Sequence, residues 1–276
     1  MDSLHTQGID IPRLGFGTFR MQGDVCREAV ESGLELGYRH IDSAAFYGNE
    51  DAVGAALKSS AIARKDLHIT TKVWHDQLAP EAMLRSFDTS LAKLQLDYVD
   101  LFMVHWPAPD MNLHAIFDTL AKLQAEGRTR AVGVCNFTLP MLRAVIEEVG
   151  APIACNQIEY HVLLDQTPVR SYLASKNIPI VAHCPLAQGT LAENVELAGI
   201  ARKYEASPAQ VALKWLLDQD GVAAIPKAQR KASQQANLDA LKLRLDDEDR
   251  RIIAALPKNK RFVSPPFAPV WDEAAA

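Results

Sequence analysis

The sequence lacks the features of a secreted, membrane or nucleic-acid-binding protein. Its cysteines form no C-x-x-C pair and are widely spaced, at Cys26, Cys135, Cys155 and Cys184. Three of them lie in or beside apolar runs, so we expect reduced thiols that pack as small hydrophobic groups. The 276-residue chain contains no run of ~18 apolar residues, which argues against a transmembrane helix.

Charge of one sign and targeting signals are also sparse. The chain carries 29 Lys and Arg against 34 Asp and Glu, a net charge of −5, and it has no basic tract. Nucleic acid is therefore not expected as its main partner. The N-terminus shows no charged segment followed by an apolar one, so we predict a cytoplasmic protein.

Two sequence motifs that would indicate other folds or chemistries are absent. No G-x-G-x-x-G follows the first apolar run, where residues 15–20 read GFGTFR, and this disfavours the alternative fold, an open doubly wound sheet. The eight histidines form no H-x-x-x-H pair and no carboxylate cluster accompanies them. A barrel hydrolase that uses a metal is therefore disfavoured, and no metal site is predicted.

A regular alternation of short apolar runs and helical patterns fills the chain instead. The runs cover residues 13–18, 38–42, 67–73, 98–105, 131–136, 153–160, 178–184 and 221–226. Most are apolar on both faces, which is typical of parallel strands covered by helices. Helical patterns cover residues 24–36, 80–95, 138–149 and 207–219. The third should begin at Thr138, and the fourth opens with a capping box formed by Ser207 and Gln210.

Eight strands that alternate with helices predict an α/β fold, a closed (β/α)8 (TIM) barrel. The stretch GIDIP, residues 8–12, predicts a small hairpin turn before the first barrel strand. The Pro-rich end, residues 264–276, predicts an irregular tail that lies on the surface or over a pocket. Because no linker and no repeat is visible, we predict one domain over residues 1–276.

Polar residues lie where the predicted strands end, which is the edge where such barrels carry their chemistry. They are Asp42, Tyr47, Lys72 and His105. Taken singly, they are equally compatible with a helix cap, a surface aromatic, a surface charge and a core histidine. Taken together they favour a site, because the apolar run around Lys72 would bury an ammonium unless a carboxylate such as Asp42 paired with it.

A Lys–Asp pair beside a phenol has a chemical consequence. The pKa of a phenol is near ~10 in water, and an adjacent ammonium lowers it by stabilising the phenolate. Tyr47 would then donate a proton near neutral pH, while His105 holds a carbonyl oxygen in place. Such a site protonates an oxygen without a nucleophile, so the hydrogen has to come from a cofactor.

Six motifs in the chain resemble those of the aldo-keto reductases. They are GYRHIDSAAFYGNE, TTKVW, VHWP, GVCNF, NQIEY and IPKAQRKASQQANL, and their order and spacing match over nearly the whole chain. The end RFVSPPFAPVWDE is most similar to the bacterial branch whose members reduce 2,5-diketo-D-gluconate or methylglyoxal. The resemblance implies a TIM barrel and NADPH-dependent reduction of aldehydes or ketones to alcohols.

The resemblance also implies roles for the residues at the strand ends. Tyr47 would be the general acid, Lys72 would depress its pKa, and Asp42 would orient and balance Lys72. His105 would position the carbonyl group. Residues implied in NADPH binding are Gly17, Thr18, Asn136, Gln157, His183, Pro185, Leu186, Gln188, Lys227, Arg230 and Asn237.

Within that cofactor set the implied contacts differ. Asn136 and Gln157 would hydrogen-bond the nicotinamide carboxamide. Lys227 and Arg230, with Lys231 beside them, would hold the adenosine 2′-phosphate, and Asn237 would contact the adenine.

Three positions depart from the pattern of the family. Cys135 stands where a serine is usual, which weakens or removes a hydrogen bond to the cofactor. Ser233 stands where a further arginine is frequent, which weakens the preference for NADPH over NADH. His183 stands where a tyrosine usually stacks on the nicotinamide. A cationic imidazole there would make cofactor affinity depend on pH between about 5.5 and 8.

The expected substrate is a small carbonyl compound held among the aromatic side chains of Phe19, Trp74 and Trp106. The tail around Phe267 and Trp271 either closes over it or packs on the surface.

Some interpretations stay open in the sequence. Arg20 is compatible with a carboxylate contact and with a solvent-exposed charge. An alternative function is a catalytically weak barrel that keeps the nucleotide as a sensor or scaffold. No coiled coil or exposed strand edge is visible, so we expect a monomer.

Overall fold

The computed structural model describes residues 2–272. A two-stranded antiparallel hairpin comes first, β1 (Ser3–Thr6) and β2 (Ile9–Pro12). The barrel strands are β3 (Phe16–Gly17), β4 (His40–Asp42), β5 (His68–Val73), β6 (Val99–Val104), β7 (Thr129–Cys135), β8 (Ile153–Glu159), β9 (Ile180–His183) and β10 (Val222–Ala224). Each coincides with one of the eight predicted runs.

Helices follow and cover these strands. Their bounds are α1 (Gly23–Leu36), α2 (Glu50–Ser59), α3 (Pro80–Leu94), α4 (Leu113–Ala125), α5 (Leu139–Arg143), α6 (Thr167–Ser175), α7 (Val195–Lys203), α8 (Pro208–Leu217), α9 (Lys231–Asp239) and α10 (Asp247–Ala254). Short 3₁₀ turns occur as well, including Ala45–Tyr47 after β4.

The eight strands are parallel and closed into a barrel, as the sequence predicts. They pair in chain order from β3 to β10. A parallel bridge between Leu14 and Ala224 then joins the first strand segment to the last. Gly17 makes this closure possible, since a Cβ atom there would lie 2.7 Å from the Ile225 carbonyl oxygen.

The hairpin closes one end of the barrel and leaves the other end open. Ile9 and Ile11 pack with the apolar residues of the barrel interior. The Thr6 hydroxyl donates to the Ala154 carbonyl at the start of β8, 3.0 Å away. The hairpin therefore covers the end where the strands begin, and the carboxyl ends of the strands face the opposite side. The predicted hairpin is confirmed, with its turn at Gln7 and Gly8.

Local sequence explains some helix ends. Ser207 and Gln210 form the predicted capping box at the start of α8. Gly37 ends α1 with a φ of 108°, a conformation that glycine adopts without strain.

The predicted helix 138–149 is only partly correct. Residues Leu139–Arg143 are α-helical, and Ala144–Glu148 continue as a π-helical turn. Thr138 precedes the helix but makes no side-chain cap. Instead, the carboxylate of Asp272, from the C-terminal tail, accepts the N–H of Leu139 at 2.9 Å. A distant residue thus replaces the cap that local sequence predicted.

Candidate active site

A cavity of about 510 Å³ opens where the barrel strands end. Of the residues predicted to form the site, it is lined by Gly17, Thr18, Phe19, Asp42, Tyr47, Trp74, His105, Trp106, Asn136, Gln157, His183, Pro185, Leu186, Gln188 and Lys227. The carboxyl ends of eight neighbouring strands thus meet at one cavity. Local sequence patterns identify these residues one strand at a time and do not show that they share a cavity. Lys72 lies fully buried beside the cavity, while Arg230 and Asn237 lie outside it.

Lys72 is the centre of a buried polar network below this cavity. Its ammonium donates to Asp42 Oδ1 at 2.5 Å and to the Ser43 carbonyl at 2.8 Å. The Tyr47 hydroxyl lies 3.4 Å from the same nitrogen. Gln157 donates its amide N–H to the second oxygen of Asp42 at 2.8 Å. Both oxygens of Asp42 are therefore held, and Lys72 is aimed at the phenol.

Burial and the ion pair act on Lys72 in opposite directions. Burial alone lowers the pKa of Lys72, but the Asp42 carboxylate and the Tyr47 oxygen outweigh it, so the net pKa is raised. The lysine stays charged at any physiological pH. The predicted partnership of Asp42 and Lys72 is present.

Lys72 lowers the pKa of Tyr47, as predicted, but the predicted net depression is wrong. Burial raises the pKa of Tyr47 to about 12, although the neighbouring Lys72 lowers it in part. Removal from water disfavours the phenolate more than one ammonium at 3.4 Å favours it. Tyr47 is consequently a protonated phenol across the neutral range. Lys72 lowers the free energy needed to ionise Tyr47 but does not keep it ionised before the reaction.

His105 is a neutral imidazole at the edge of the cavity. Burial lowers the pKa of His105 well below its usual value, and Lys72 lowers it further. Its ring meets that of Tyr47 nearly at right angles, with centroids 5.4 Å apart. Its Nδ1 atom is buried and has no hydrogen-bond partner within residues 2–272. The ring therefore acts in its uncharged form.

Asn136 and His183 form a hydrogen-bonded pair on the neighbouring wall. His183 Nε2 lies 2.8 Å from Asn136 Oδ1, and Asn136 donates its amide N–H to the His105 carbonyl at 3.0 Å. Burial lowers the pKa of His183 to about 4, despite the nearby Glu159. The expected cationic His183 between about pH 5.5 and 8 is therefore wrong, because burial keeps the ring neutral there.

Cys135 occupies the barrel interior and does not line the cavity. It is fully buried, with Sγ 3.9 Å from Met103 Sδ. Burial raises the pKa of Cys135 well above the usual thiol value, so it remains an unreactive thiol.

Aromatic rings form the wall next to Tyr47 and His105. Phe46 stacks flat on Trp74, with centroids 3.7 Å apart, and Phe19 lies 4.9 Å from Tyr47. Sequence patterns did not identify Phe46, although its position directly before Tyr47 is a signal. The other unpredicted lining residues are Cys184, Gly189, Ile225, Pro226 and Val263, while Arg20, which was left open, lines the cavity too.

The C-terminal tail, which in the structure is taken to include Phe262 and Val263, lies beside this aromatic wall. Phe267 packs edge-on against Trp74 and Trp106, at 5.5 and 5.6 Å between centroids. Trp271 contacts Trp106 at 6.0 Å. The tail thus contributes to the mouth of the cavity through Val263 and supports its wall from outside; residues 273–276 of the tail lie outside the described residues.

Basic side chains lie where the chain leaves β10 and enters α9. Lys227 lines the cavity and Arg230 is the exposed residue before α9. Neither makes an ion pair within residues 2–272, whereas Lys231 pairs with Glu35 at 2.9 Å. Asn237 is buried against the Tyr38 hydroxyl. Free cations at a helix N-terminus are suited to a phosphate.

Residues 2–272 contain neither a metal-binding cluster nor a membrane-spanning helix. No group of three or more His, Cys, Asp or Glu side chains is arranged to hold a metal ion. None of the helices in that range has the length and apolar character needed to cross a membrane.

Comparison with known proteins identifies strong similarities over nearly the full length. The family model described as the aldo/keto reductase family matches residues 13–258. A protein of Escherichia coli O157:H7 named methylglyoxal reductase DkgB is 42% identical over 266 residues, covering 95% of this chain and 99% of that protein. A protein of Bacillus subtilis strain 168 named glyoxal reductase is 39% identical, covering 94% of this chain and 93% of that one.

Solved structures agree with these sequence matches. A crystal structure described as a candidate 2,5-diketo-D-gluconic acid reductase B has a TM-score of 0.95 and 36% identity, covering 99% of this chain and 98% of that chain. An aldo/keto reductase from Brucella melitensis has a TM-score of 0.84 and 38% identity, covering 90% and 95% of the two chains.

Proposed function

Since the chain belongs to the aldo/keto reductase family and is thus an oxidoreductase that acts on carbonyl compounds, we propose that it reduces small aldehydes and ketones with NADPH, using Tyr47 as the acid. The observation that carries this proposal is the contact between the Tyr47 hydroxyl and a buried, charged Lys72 in a cavity at the strand ends.

The cofactor residues fit a nicotinamide dinucleotide. Asn136, Gln157 and His183 offer amide and imidazole groups to one end of the cavity. Lys227, which lines the cavity, and Arg230, which lies outside it directly before α9, supply free positive charge. A guanidinium and an ammonium there match the charge of a 2′-phosphate, which supports NADPH over NADH. When bound, this cofactor supplies the hydride that the protein itself lacks.

The protein's own residues then supply the proton and its electrostatic support. Tyr47 donates its hydroxyl proton to the carbonyl oxygen as negative charge develops there. Lys72 stabilises the resulting phenolate, and Asp42, held by Gln157, keeps Lys72 in place. The neutral His105 donates an N–H to the same carbonyl oxygen and fixes its position.

The wall around these groups favours small carbonyl compounds. The aromatic rings of Phe19, Phe46 and Trp74 lie next to the ring of Tyr47 or His105. Such a wall suits a small carbonyl compound. Methylglyoxal, glyoxal and 2,5-diketo-D-gluconate, after which the relatives are named, and aromatic aldehydes form the candidate set.

We also infer that the chain acts as a single-domain monomer in the cytoplasm. Closure of the eight-stranded sheet supports the monomer, since it leaves the barrel strands without an unpaired edge. Size-exclusion chromatography with light scattering tests this, and a stable dimer at micromolar concentration would contradict it.

A panel of kcat/KM values across these carbonyls, with NADPH and with NADH, tests the proposed function. We expect consumption of NADPH with at least one dicarbonyl or aromatic aldehyde and a weaker rate with NADH. NADPH binding without turnover on any of them would instead favour a nucleotide sensor or scaffold.

A further inference from the structure

Glu159 is a fully buried carboxylate at the carboxyl end of β8 that the proposed chemistry does not use. It is the last residue of β8, and its side chain is 0% exposed. Its oxygens accept the backbone N–H groups of Phe262 and Val263 at 2.7 and 2.8 Å. His161 Nε2 approaches one of them at 2.9 Å. These three partners thus belong to the loop after β8 or to the tail.

The charge on this carboxylate is maintained although it is buried. Burial raises the pKa of Glu159, but hydrogen bonds from His161 and from the two tail N–H groups outweigh it and the net pKa is lowered. The proton arrangement of His161 is also defined, since its Nδ1 accepts the Leu163 N–H at 3.2 Å. His161 Nε2 therefore carries the ring proton and donates a hydrogen bond to Glu159.

From the tail, Glu159 accepts hydrogen bonds from backbone N–H groups and not from a side chain. Arg261 lies 4.0 Å from Glu159, beyond hydrogen-bond distance, and its guanidinium stacks on Trp271 at 3.8 Å. The two N–H groups are accepted directly, and they belong to consecutive residues. A carboxylate with two oxygens can hold both, which fixes the direction of the chain at this point.

This point is where the tail enters the cavity wall. Val263 lines the cavity, although Phe262 and Arg261 do not. Beyond it the chain continues to Phe267, which packs on Trp74 and Trp106, and ends its described course at the Asp272–Leu139 contact. The segment 263–272 is therefore attached at both ends, by Glu159 at one end and by the Leu139 N–H at the other.

We propose that Glu159 is a positioning residue that holds the backbone of Phe262 and Val263 in place, so that Val263 completes the substrate wall and sets the KM for the carbonyl substrate. The effect on KM rests on the proposed function; the attachment of the tail does not. Glu159 does not contact Tyr47 or Lys72, so the proton transfer itself should be unaffected.

Glu159→Gln tests this with almost no change in shape. The glutamine keeps one acceptor oxygen but turns an amide N–H₂ towards a tail N–H or His161, so two donors face each other. We expect about a tenfold rise in substrate KM, with kcat within about twofold of the original. Glu147→Gln, which removes a half-exposed carboxylate paired with Lys176, is the matched control and should leave both constants unchanged.

Limited trypsin digestion gives a second readout that does not require activity. Lys260 and Arg261 lie directly before the attached residues, so release of the tail should expose these sites. We expect faster cleavage there in Glu159→Gln at a temperature where the barrel remains folded by circular dichroism. Unchanged cleavage together with an unchanged KM would overturn the proposal, and so would a fall in kcat at constant KM.

Val263→Ala keeps the proposal testable if Glu159→Gln does not fold. This substitution leaves the backbone N–H and the Glu159 contact in place but removes part of the cavity wall. We expect substrate KM to rise, with trypsin cleavage unchanged. An unchanged KM would show that the tail does not form the substrate wall. If the original protein reduces no carbonyl compound, the proposed function fails, while the trypsin comparison still decides the role of Glu159.

Discussion

At the scale of single residues, Tyr47 and Lys72 have different roles: Tyr47 is the proposed proton donor and Lys72 is the charged group beside it. The ammonium remains charged because Asp42 is 2.5 Å away. Partial burial raises the pKa of the phenol above its usual value, so Tyr47 remains protonated at neutral pH. A proton donor is therefore fully available at neutral pH, and the group that stabilises its conjugate base is already charged. Tyr47 ionises only in the step in which the substrate oxygen gains negative charge, so the free energy of its ionisation contributes to the barrier of that step.

Tyr47→Phe removes only this hydroxyl from the site. We expect kcat to fall by much more than tenfold, since a tenfold loss corresponds to about 1.4 kcal/mol of barrier. NADPH affinity should remain nearly unchanged, because the ring and its contact with Phe19 are kept. Steady-state rates and fluorescence titration measure the two quantities. A variant that retains more than about a tenth of the original kcat would exclude Tyr47 as the acid.

Arg230→Ala removes an exposed cation without a partner in residues 2–272. If it grips the 2′-phosphate, the Kd for NADPH should rise by at least about tenfold while that for NADH barely changes. Isothermal titration with both cofactors makes the comparison. Lys242→Ala, at an exposed ion pair with Asp239, provides the control, and equal losses for NADPH and NADH in Arg230→Ala would remove Arg230 from the phosphate site.

At the scale of elements, close helix contacts determine how the layer outside the barrel packs. Gly54 on α2 meets the backbone of α3, where an added Cβ would lie 2.4 Å from the Lys93 carbonyl oxygen. The neighbour is backbone and cannot turn aside. The short distance between α2 and α3 therefore depends on the missing side chain, and α2 directly follows the loop that carries Tyr47.

Gly54→Ala should lower the free energy of unfolding by about 1–3 kcal/mol, because overpacking outweighs the gain in helix propensity. Gly199→Ala on the exposed face of α7 is the matched control. Its nearest neighbour would be Arg202 Nη2 at 3.8 Å, so it should stabilise the protein by about 0.5–1 kcal/mol. Urea unfolding of both variants measures the difference, and stabilisation by both would contradict the close contact.

At the scale of the whole molecule, the fold buries histidines that must remain neutral. The pKa values of His40, His68 and His105 are lowered by burial, and that of His183 is lowered to about 4. In the unfolded chain such groups take up a proton near pH ~6.5. Below that value the unfolded state binds more protons than the folded one, so acid favours unfolding.

We therefore expect the free energy of unfolding to fall as the pH is lowered through about 6.5. Each histidine that is protonated only in the unfolded chain contributes a slope of up to about 1.4 kcal/mol per pH unit. The scan should end near pH ~5, before the carboxylates begin to titrate. Chemical unfolding at each pH measures the profile, and replacing the exposed His114 by Gln should not change it. A flat profile down to pH ~5 would show that these histidines are accessible to protons.

Much of the barrel and its site could be predicted from sequence, because the relevant signals are local. The eight apolar runs reflect strands buried on both faces, and several of them end at a polar residue of the site. Asp42 and His105 were therefore identified by their place after such a run. Helix ends were less reliable: α8 has its own capping box, whereas α5 is capped by Asp272 from the other end of the chain.

The sequence by itself determined the strand order, the location of the site and the pairing of Asp42 with Lys72, since these follow from periodicity and from the cost of an unpaired buried charge. Only the tertiary structure decided the direction in which the pKa values of Tyr47 and His183 shift and the attachment of the tail to Glu159. Those depend on how much water is excluded around each group, and that exclusion is produced by residues far apart in the chain that come together only when the barrel closes.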